Sequence, residues 1–199
     1  MDKLKIIIIT LGSILGCSQF TFSQDFIGLS YSIGIPTAAV NKSISDASFK
    51  GTDIEFRHFF TENISGGFTI GMRNFSQAYG NQVYTSDVVA LTGETFKDAT
   101  ALSTVFTSHY YFQKFKFIQP YAGLGIGGAG VFYNVQVGGI ATSDVYWGFT
   151  FVPEIGLLIP LRNSGTSILS SAKYNYQTGS KGHDSVGYWA FNIGIALDF

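Results

Sequence analysis

The sequence is poor in charge and has no long apolar run beyond its first residues. Only 13% of its 199 residues are charged, against roughly 25% in ordinary soluble domains. The formal net charge of −1 gives no electrostatic basis for binding nucleic acid. No later segment approaches the roughly 20 apolar residues that a membrane helix needs. If the mature chain enters a membrane, it must therefore do so as a closed β-barrel.

The N-terminal segment has the pattern of an export signal. Lys3 and Lys5 precede a short apolar stretch, residues 6–15, and small or polar residues follow. This order is typical of a secretory signal peptide, and the apolar stretch is too short to span a bilayer comfortably. We predict a signal peptide over residues 1–24 and one mature domain over residues 25–199.

Cysteine is almost absent, since Cys17 is the only one. Residues 14–17 resemble a bacterial lipoprotein cleavage box, although Leu15 stands where that box prefers a small residue. One alternative is therefore a lipidated Cys17. The other, which we favour, is removal of Cys17 with the signal, which leaves no disulfide, thiolate metal site or cysteine nucleophile in the mature chain.

Alternation of large apolar and small or polar residues is the dominant pattern of the remaining chain. It is strictest at the C-terminus, where the large apolar positions are Phe191, Ile193, Ile195, Leu197 and Phe199. A period of two predicts a β-strand with one apolar and one polar face. Aromatic residues make up 16% of the chain and there are 24 glycines, a mixture that suits lipid-facing strands with aromatic girdles.

About eight segments alternate in this way. They lie at about residues 26–35, 51–60, 64–75, 99–112, 117–131, 147–159, 167–177 and 186–199. Pro36 is expected to end the first of them, because proline cannot donate to a β-ladder. The connections are alternately long and short, and the long ones are 37–49, 76–98, 132–146 and 178–185. The apolar residues 88–91 within the second of these indicate that a strand extends beyond the membrane there. Outer-membrane barrels have this asymmetry, with short periplasmic turns and long external loops. The prediction is an all-β fold, an eight-stranded antiparallel up-and-down transmembrane β-barrel.

The polar faces of these strands carry six charges that would point into the barrel. They are Asp53, Glu55, Arg57, Arg73, Glu154 and Lys173. A barrel of eight strands is just wide enough inside for side chains to fill, and buried charges there must pair. Arg57 or Arg73 with Glu55, and Lys173 with Glu154, are the expected partners. We interpret this set as a packed polar plug, and a conducting or ligand-binding lumen is the alternative.

Three features resemble the small outer-membrane β-barrels of Gram-negative bacteria, of the OmpA-barrel, OmpX and OmpW kind. They are the signal peptide, the alternating-glycine run Pro120–Gly127, and the terminal strand from Phe191 to Phe199, which is similar to the C-terminal signal read by the barrel-insertion machinery. The resemblance implies an outer-membrane location, contact with outer-membrane lipids, and assembly by a periplasmic chaperone and the insertion machinery. It does not imply one activity.

The residues give little support to catalysis. The segment Ser108–Tyr111 is faintly similar to the catalytic strand of the lipid A deacylases, but those enzymes have a serine where Tyr111 stands. In the segment His183–Ser185, consecutive residues do not face one another, and a triad is recognised by geometry. The histidines are too scattered to indicate a metal site. We predict neither enzymatic activity nor a cofactor.

The function that these observations favour is a structural or surface-interaction role, in which external loops contact an extracellular ligand. The alternative is a porin-like carrier of small hydrophobic molecules, which would need a lateral opening or an apolar pocket in the interior. The inward charges argue against the carrier. A lipid-modifying enzyme is a third and weaker hypothesis.

Overall fold

The computed structural model describes residues 25–37, 44–85, 90–112, 117–137, 140–161, 164–179 and 184–199. The predicted signal peptide with Cys17, residues 113–116 and His183 lie outside the described residues. Within the described part, no helix is long and apolar enough to cross a membrane.

Eight strands form one closed barrel in which every strand pairs antiparallel with its neighbours in sequence, and β8 pairs with β1. This confirms the predicted fold class. The strands are β1 (Asp25–Thr37), β2 (Ser48–Phe59), β3 (Ile64–Thr85), β4 (Ala90–Tyr111), β5 (Gln119–Val137), β6 (Ile140–Leu161), β7 (Thr166–Gln177) and β8 (Val186–Asp198). Closure leaves no unpaired edge around the barrel wall, which is the condition for β-structure in lipid.

Large apolar side chains cover the outside of the barrel. The terminal strand shows this most clearly, because its five alternating apolar residues, Phe191 to Phe199, are 45–67% exposed while Asn192 and Ala196 between them are buried. On β6, Trp147, Phe149 and Ile155 also point outward. Exposed apolar surface of this extent is unfavourable in water and suits a lipid environment.

Proline does not end the first strand, contrary to the expectation for Pro36. The strand continues to Thr37, and Pro36 lies opposite Tyr188 of β8. On the other side, β2 pairs with β1 only as far as Gly34. Proline is tolerated here because its nitrogen faces the side on which β1 has no partner strand, so no ladder hydrogen bond is lost.

Two of the predicted long loops are mostly β-structure. The segment 76–98 forms a paired hairpin in which β3 and β4 run on to Thr85 and Ala90. The segment 132–146 likewise pairs as β5 and β6 up to Val137 and Ile140. Their polar sequences resemble loops because neither face needs to be apolar beyond a membrane, yet pairing still satisfies the backbone.

These two hairpins pair with each other and stand beyond the barrel wall. We call residues 76–85, 90–98, 132–137 and 140–146 the protruding sheet. Its inner strands, β4 and β5, pair with each other from Thr95 opposite Val137 towards the barrel, where the same ladder continues past Asp98 opposite Asn134. Its outer strands are β3 and β6: β2 pairs with β3 no farther than Arg73, and β7 pairs with β6 only from Thr150 onward.

The barrel interior contains two apolar clusters, one towards each end. The cluster near the start of β1 and the end of β8 consists of Phe26, Tyr111, Tyr121, Leu158, Leu169 and Ala196. The cluster towards the protruding sheet consists of Ile44, Phe75, Ala99, Ala101, Val131, Tyr146, Val186, Tyr188 and Ala190. The inward charges lie between these two clusters.

The lipid-facing role of the outer surface predicts a position-dependent cost for charge. Replacing Ile193, which is 61% exposed in the middle of β8, with arginine should lower the unfolding free energy in lipid vesicles by about 2–4 kcal/mol, because the guanidinium is taken from water into hydrocarbon. Thr142→Arg on the protruding sheet is the matched control and should change it by less than about 0.5 kcal/mol. Equal effects of the two variants in a urea titration would argue against a lipid-facing wall.

Candidate functional site in the barrel interior

All six of the predicted inward charges lie inside the barrel and are at most 4% exposed. Asp53, Glu55 and Arg57 alternate along β2, and Arg73 lies on the neighbouring β3. Glu154 of β6 and Lys173 of β7 lie directly opposite each other in the ladder between their strands. Three carboxylates and three cations therefore share one buried layer, which we call the charge layer.

Arg57 is the centre of one half of the charge layer. Its Nε donates to Glu55 Oε2 at 2.9 Å and its Nη2 donates to Glu154 Oε1 at 3.1 Å. The guanidinium also donates to the hydroxyls of Tyr111 and Tyr121 at 3.0 and 3.1 Å. Its carbon lies 4.5 Å from the centre of the Tyr121 ring. A planar group with five donors suits this combination of carboxylates and aromatic faces better than a lysine would.

Asp53 is the centre of the other half. One of its oxygens accepts from Arg73 Nη2 at 2.6 Å. The other accepts from Lys173 Nζ at 3.2 Å and from Asn192 Nδ2 at 3.0 Å. Arg73 also donates to the Ser32 hydroxyl at 2.9 Å. Sequence reasoning offered Glu55 as a partner for Arg73, but the structure pairs Arg73 with Asp53 instead.

Lys173 joins the two halves. Its ammonium lies 3.2 Å from Asp53, 3.5 Å from Glu55 and 3.7 Å from Glu154. It thus contacts all three carboxylates, whereas each arginine pairs with one side of the layer. A buried charge that lost these partners would be uncompensated, which costs several kcal/mol.

Sequence reasoning missed several members of the interior, notably Tyr111, Tyr121 and His109. His109 Nε2 lies 3.3 Å from Glu154 Oε2, and its Nδ1 lies 3.4 Å from the Ser65 hydroxyl. The signal was present in the alternation, because an outward Tyr110 on β4 turns its two neighbours inward. In the sequence, Tyr111 is notable only because it stands where the lipid A deacylases have a serine. In the barrel, it is a hydrogen-bond partner of Arg57.

Glycines in the alternating-glycine run of β5 and on the neighbouring strand β6 make room for these large side chains. A Cβ on Gly123 would lie 2.3 Å from His109 Cδ2, and a Cβ on Gly156 would lie 2.4 Å from Tyr121 Cζ. The interior of an eight-stranded barrel is narrow, so a large side chain on one strand requires a small one opposite. Packing of the lumen thus explains Gly123 of the alternating run, whereas a Cβ on Gly127 would meet the backbone of Thr104 and Val105 on β4.

The arrangement of Ser65, His109 and Glu154 has the composition of a nucleophilic triad. All three are at most 4% exposed, and the His109 ring lies edge-on to that of Tyr121 in the interior. The hydroxyl is on Nδ1 and the carboxylate on Nε2, which is the reverse of the usual order in serine hydrolases.

Among the described residues, no group of three or more His, Cys, Asp or Glu is arranged to hold a metal ion.

The wall of the barrel has one discontinuity beside the charge layer. The β6–β7 ladder is paired at Phe151 opposite Tyr176 and again at Glu154 opposite Lys173, but the two positions between, Val152 and Pro153, are unpaired. Proline removes the N–H that would complete the ladder at this point. Just inside, Asn175 has a buried amide nitrogen that contacts no acceptor.

Comparison with solved structures agrees with the fold described above. Neisserial surface protein A has a TM-score of 0.61 at 11% identity, with 89% of this chain and 99% of that chain covered. The outer membrane protein OprG from Pseudomonas aeruginosa has a TM-score of 0.58 at 13% identity, with 88% and 96% covered. This chain shares their eight-stranded barrel fold. No protein-family model and no curated protein sequence matches it.

Removing one cation from the charge layer should show how much the layer contributes to the stability of the barrel. Arg57→Met leaves Glu55 and Glu154 with less compensation, so we expect the unfolding free energy to fall by about 3–5 kcal/mol. Lys50→Met is the matched control, because Lys50 is exposed on the same strand, and its effect should stay within about 0.5 kcal/mol. The measurement is urea unfolding in detergent or vesicles. An Arg57 variant as stable as the control would contradict a structural role of the layer.

Proposed function

We propose that this protein is an integral outer-membrane barrel with a structural interior, whose protruding sheet makes contacts outside the cell. The observation that carries the proposal is the difference between the interior of the barrel and the protruding sheet. The lumen is filled by paired side chains, whereas a sheet of exposed polar strands stands beyond the apolar outer band. The similarity to a neisserial surface protein and to an outer membrane protein of Pseudomonas aeruginosa supports this placement.

The interior favours a structural role over conduction. The charge layer is balanced, each of its six charges pairs with an opposite charge, and apolar clusters lie on both sides of it. Water and ions move through open polar lumens, and the side chains here occupy the space that such a lumen needs. The outward strand Phe191–Phe199 supports assembly by the barrel-insertion machinery, with outer-membrane lipids as the surroundings of the wall.

A non-catalytic role belongs to the same proposal. The residues with catalytic composition, Ser65, His109 and Glu154, lie inside the barrel between the strands. A lipid substrate would approach from the outer face, on which none of them is exposed. The chemistry that remains accessible is that of the protruding sheet, which presents Thr, Ser, Asn and aromatic side chains suited to contacts with another macromolecule.

The surface role predicts separable effects of barrel and sheet. Replacing residues 78–94 with a short Asn-Gly turn should leave the barrel intact, because those residues pair only within the protruding sheet. The heat-dependent gel shift and outer-membrane fractionation should then be unchanged, while binding of expressing cells to a host or matrix surface falls to background. Retained binding, or recovery of the intact protein in the soluble fraction, would contradict the proposal.

A hydrophobic carrier is the second candidate, and the discontinuity at Pro153 is the observation that favours it. A lateral exit through the wall would need a place where strands separate, and Val152 and Pro153 leave two ladder positions unpaired. Pro153→Thr restores the missing donor, so it should lower uptake of a fluorescent fatty acid by cells if the protein is a carrier. If the interior is structural, uptake equals that of cells without the protein, both before and after the substitution.

A further inference from the structure

Lys173 and Asn192 are neighbours in the charge layer, on the adjacent strands β7 and β8. In the ladder between these strands, Lys173 is opposite Ala190 and Asn192 is opposite Ser171, so the two inward side chains are diagonal neighbours. Diagonal neighbours on one face of an antiparallel pair are within reach of each other when one side chain is long. Both side chains are buried, with 3% exposure. A primary amine and a carboxamide are thus enclosed in the same part of the interior.

One carboxylate oxygen holds both groups. Asp53 Oδ2 accepts from Lys173 Nζ at 3.2 Å and from Asn192 Nδ2 at 3.0 Å. The amide nitrogen of Asn192 also donates to the Ser171 hydroxyl at 3.3 Å. Two nitrogens that share one acceptor atom lie close together, and one of them is bonded to the carbonyl carbon of the carboxamide. A fixed approach of this kind is what favours a reaction between two groups.

Two buried acceptors around Lys173 accept no hydrogen bond from any residue that the structure describes. They are Asn192 Oδ1 and Glu55 Oε1. Glu55 Oε1 lies 3.5 Å from Lys173 Nζ, whereas Arg57 donates to the other oxygen of the same carboxylate. Buried acceptors without a donor are costly and call for an explanation. A carboxylate oxygen that faces an ammonium and is not engaged elsewhere is a base that can receive its proton.

The surroundings of the charge layer favour neutral groups. The apolar clusters on its two sides separate it from bulk water. Away from water, a charged group is costly, and transfer of a proton from an ammonium to a carboxylate leaves two neutral groups. A desolvated, neutral lysine amine is a nucleophile. Exclusion of water also protects a newly formed amide from hydrolysis.

We propose that Lys173 and Asn192 form an intramolecular amide bond, which cross-links β7 to β8 inside the barrel. Glu55 Oε1 takes a proton from the Lys173 ammonium, and the neutral Nζ attacks Asn192 Cγ. Asp53 Oδ2, which contacts both nitrogens, transfers a second proton from Nζ to Nδ2. The Cγ–Nδ2 bond then breaks and ammonia leaves. The products are one secondary amide, one ammonia and a protonated Glu55, so the charge layer stays neutral.

Asn192 is a better partner for this bond than Asp53, although the Asp53 carboxylate also contacts Lys173. Arg73 pairs with the other oxygen of Asp53 at 2.6 Å, and a carboxylate anion resists attack by an amine. The carboxamide of Asn192 is neutral, and its nitrogen can leave as ammonia. A cross-link between residues 173 and 192 closes a loop of chain and restricts the unfolded state, which stabilises the β7–β8 pair.

The test is the intact mass of the mature protein, purified from cell envelopes in detergent. We expect it to be lighter by one ammonia than the mass calculated from the mature sequence. After digestion with trypsin, there should be no cleavage after Lys173. The fragments that contain residues 173 and 192 should stay joined although cleavage after Lys181 separates them along the chain. Fragmentation of the joined species should place the bond between the two side chains.

Two variants are matched controls for this measurement. Lys173→Arg keeps the positive charge and has no primary amine, so it should retain its full mass. It also accounts for ammonia that an N-terminal glutamine loses on cyclisation, which concerns Gln24 if the signal ends before it. Asn192→Ser keeps a donor for Asp53 but has no carboxamide, and should be unlinked as well. The heat-dependent gel shift verifies that both barrels are intact.

Glu55→Gln tests the route of the proton. The variant keeps the shape of the side chain but cannot receive the proton, so we expect the bond to form about 100-fold more slowly. The measurement is the fraction of joined fragments at fixed times after a pulse of synthesis. Lys50→Gln, exposed on the same strand, should form the bond at the original rate. Equal rates in the two variants would exclude Glu55 as the proton acceptor.

Three results would overturn the inference. They are an unmodified mass with cleavage after Lys173, a deficit of one water with a bond to Asp53, or an ammonia deficit that persists in Lys173→Arg. The inference goes beyond the proposed function and does not depend on it. Adhesion that survives removal of residues 78–94 would contradict the surface role and leave the mass result standing, and an unlinked barrel would leave the surface role unaffected.

Discussion

Balance within the charge layer is the constraint on which the rest of the interior depends. Three carboxylates and three cations are buried together, and Lys173 contacts all three carboxylates. Taking such groups from water is costly, and only complete pairing and hydrogen bonding offset that cost. The large side chains of the layer then dictate small residues opposite them, as Tyr121 does at Gly156. In this way, the charge layer and the residues opposite it fill this part of the narrow barrel.

Outside the wall, the physical demands change along each strand. In the apolar band, alternation must be strict, because one face meets hydrocarbon and the other meets the lumen. Beyond the band, this strict alternation is relaxed: residues 140–145 of β6 are all exposed, while Thr95, Val137 and Tyr146 are buried. The same ladder that closes the barrel thus extends into a sheet with exposed edges. On the β6 side of that sheet, the Asp144 carboxylate accepts from the N–H of Val145.

Prediction from sequence succeeded where a single physical rule decides the outcome. Eight strands, their closure into a barrel and the outward face of Phe191–Phe199 all follow from period-two alternation, and the structure confirms them. It was wrong at Pro36 and over residues 132–146, and within residues 76–98 it foresaw an extended strand but not the whole paired hairpin. There the backbone pairs although the sequence has the composition of a loop, and which residue has a partner strand beside it depends on register.

Alternation along the strands was enough to predict the class of fold and the inward direction of the six charges, because alternation is a local property of the backbone. Which of those charges meet depends on the tertiary structure. Asp53 rather than Glu55 receives Arg73, and Arg57 reaches Glu154 across 97 positions of chain. It also decided that β6 continues past the last residue of β7 that pairs with it. Both depend on how the strands are staggered around the closed barrel. That stagger is the sum of the registers of all eight ladders, so no single segment of the sequence specifies it.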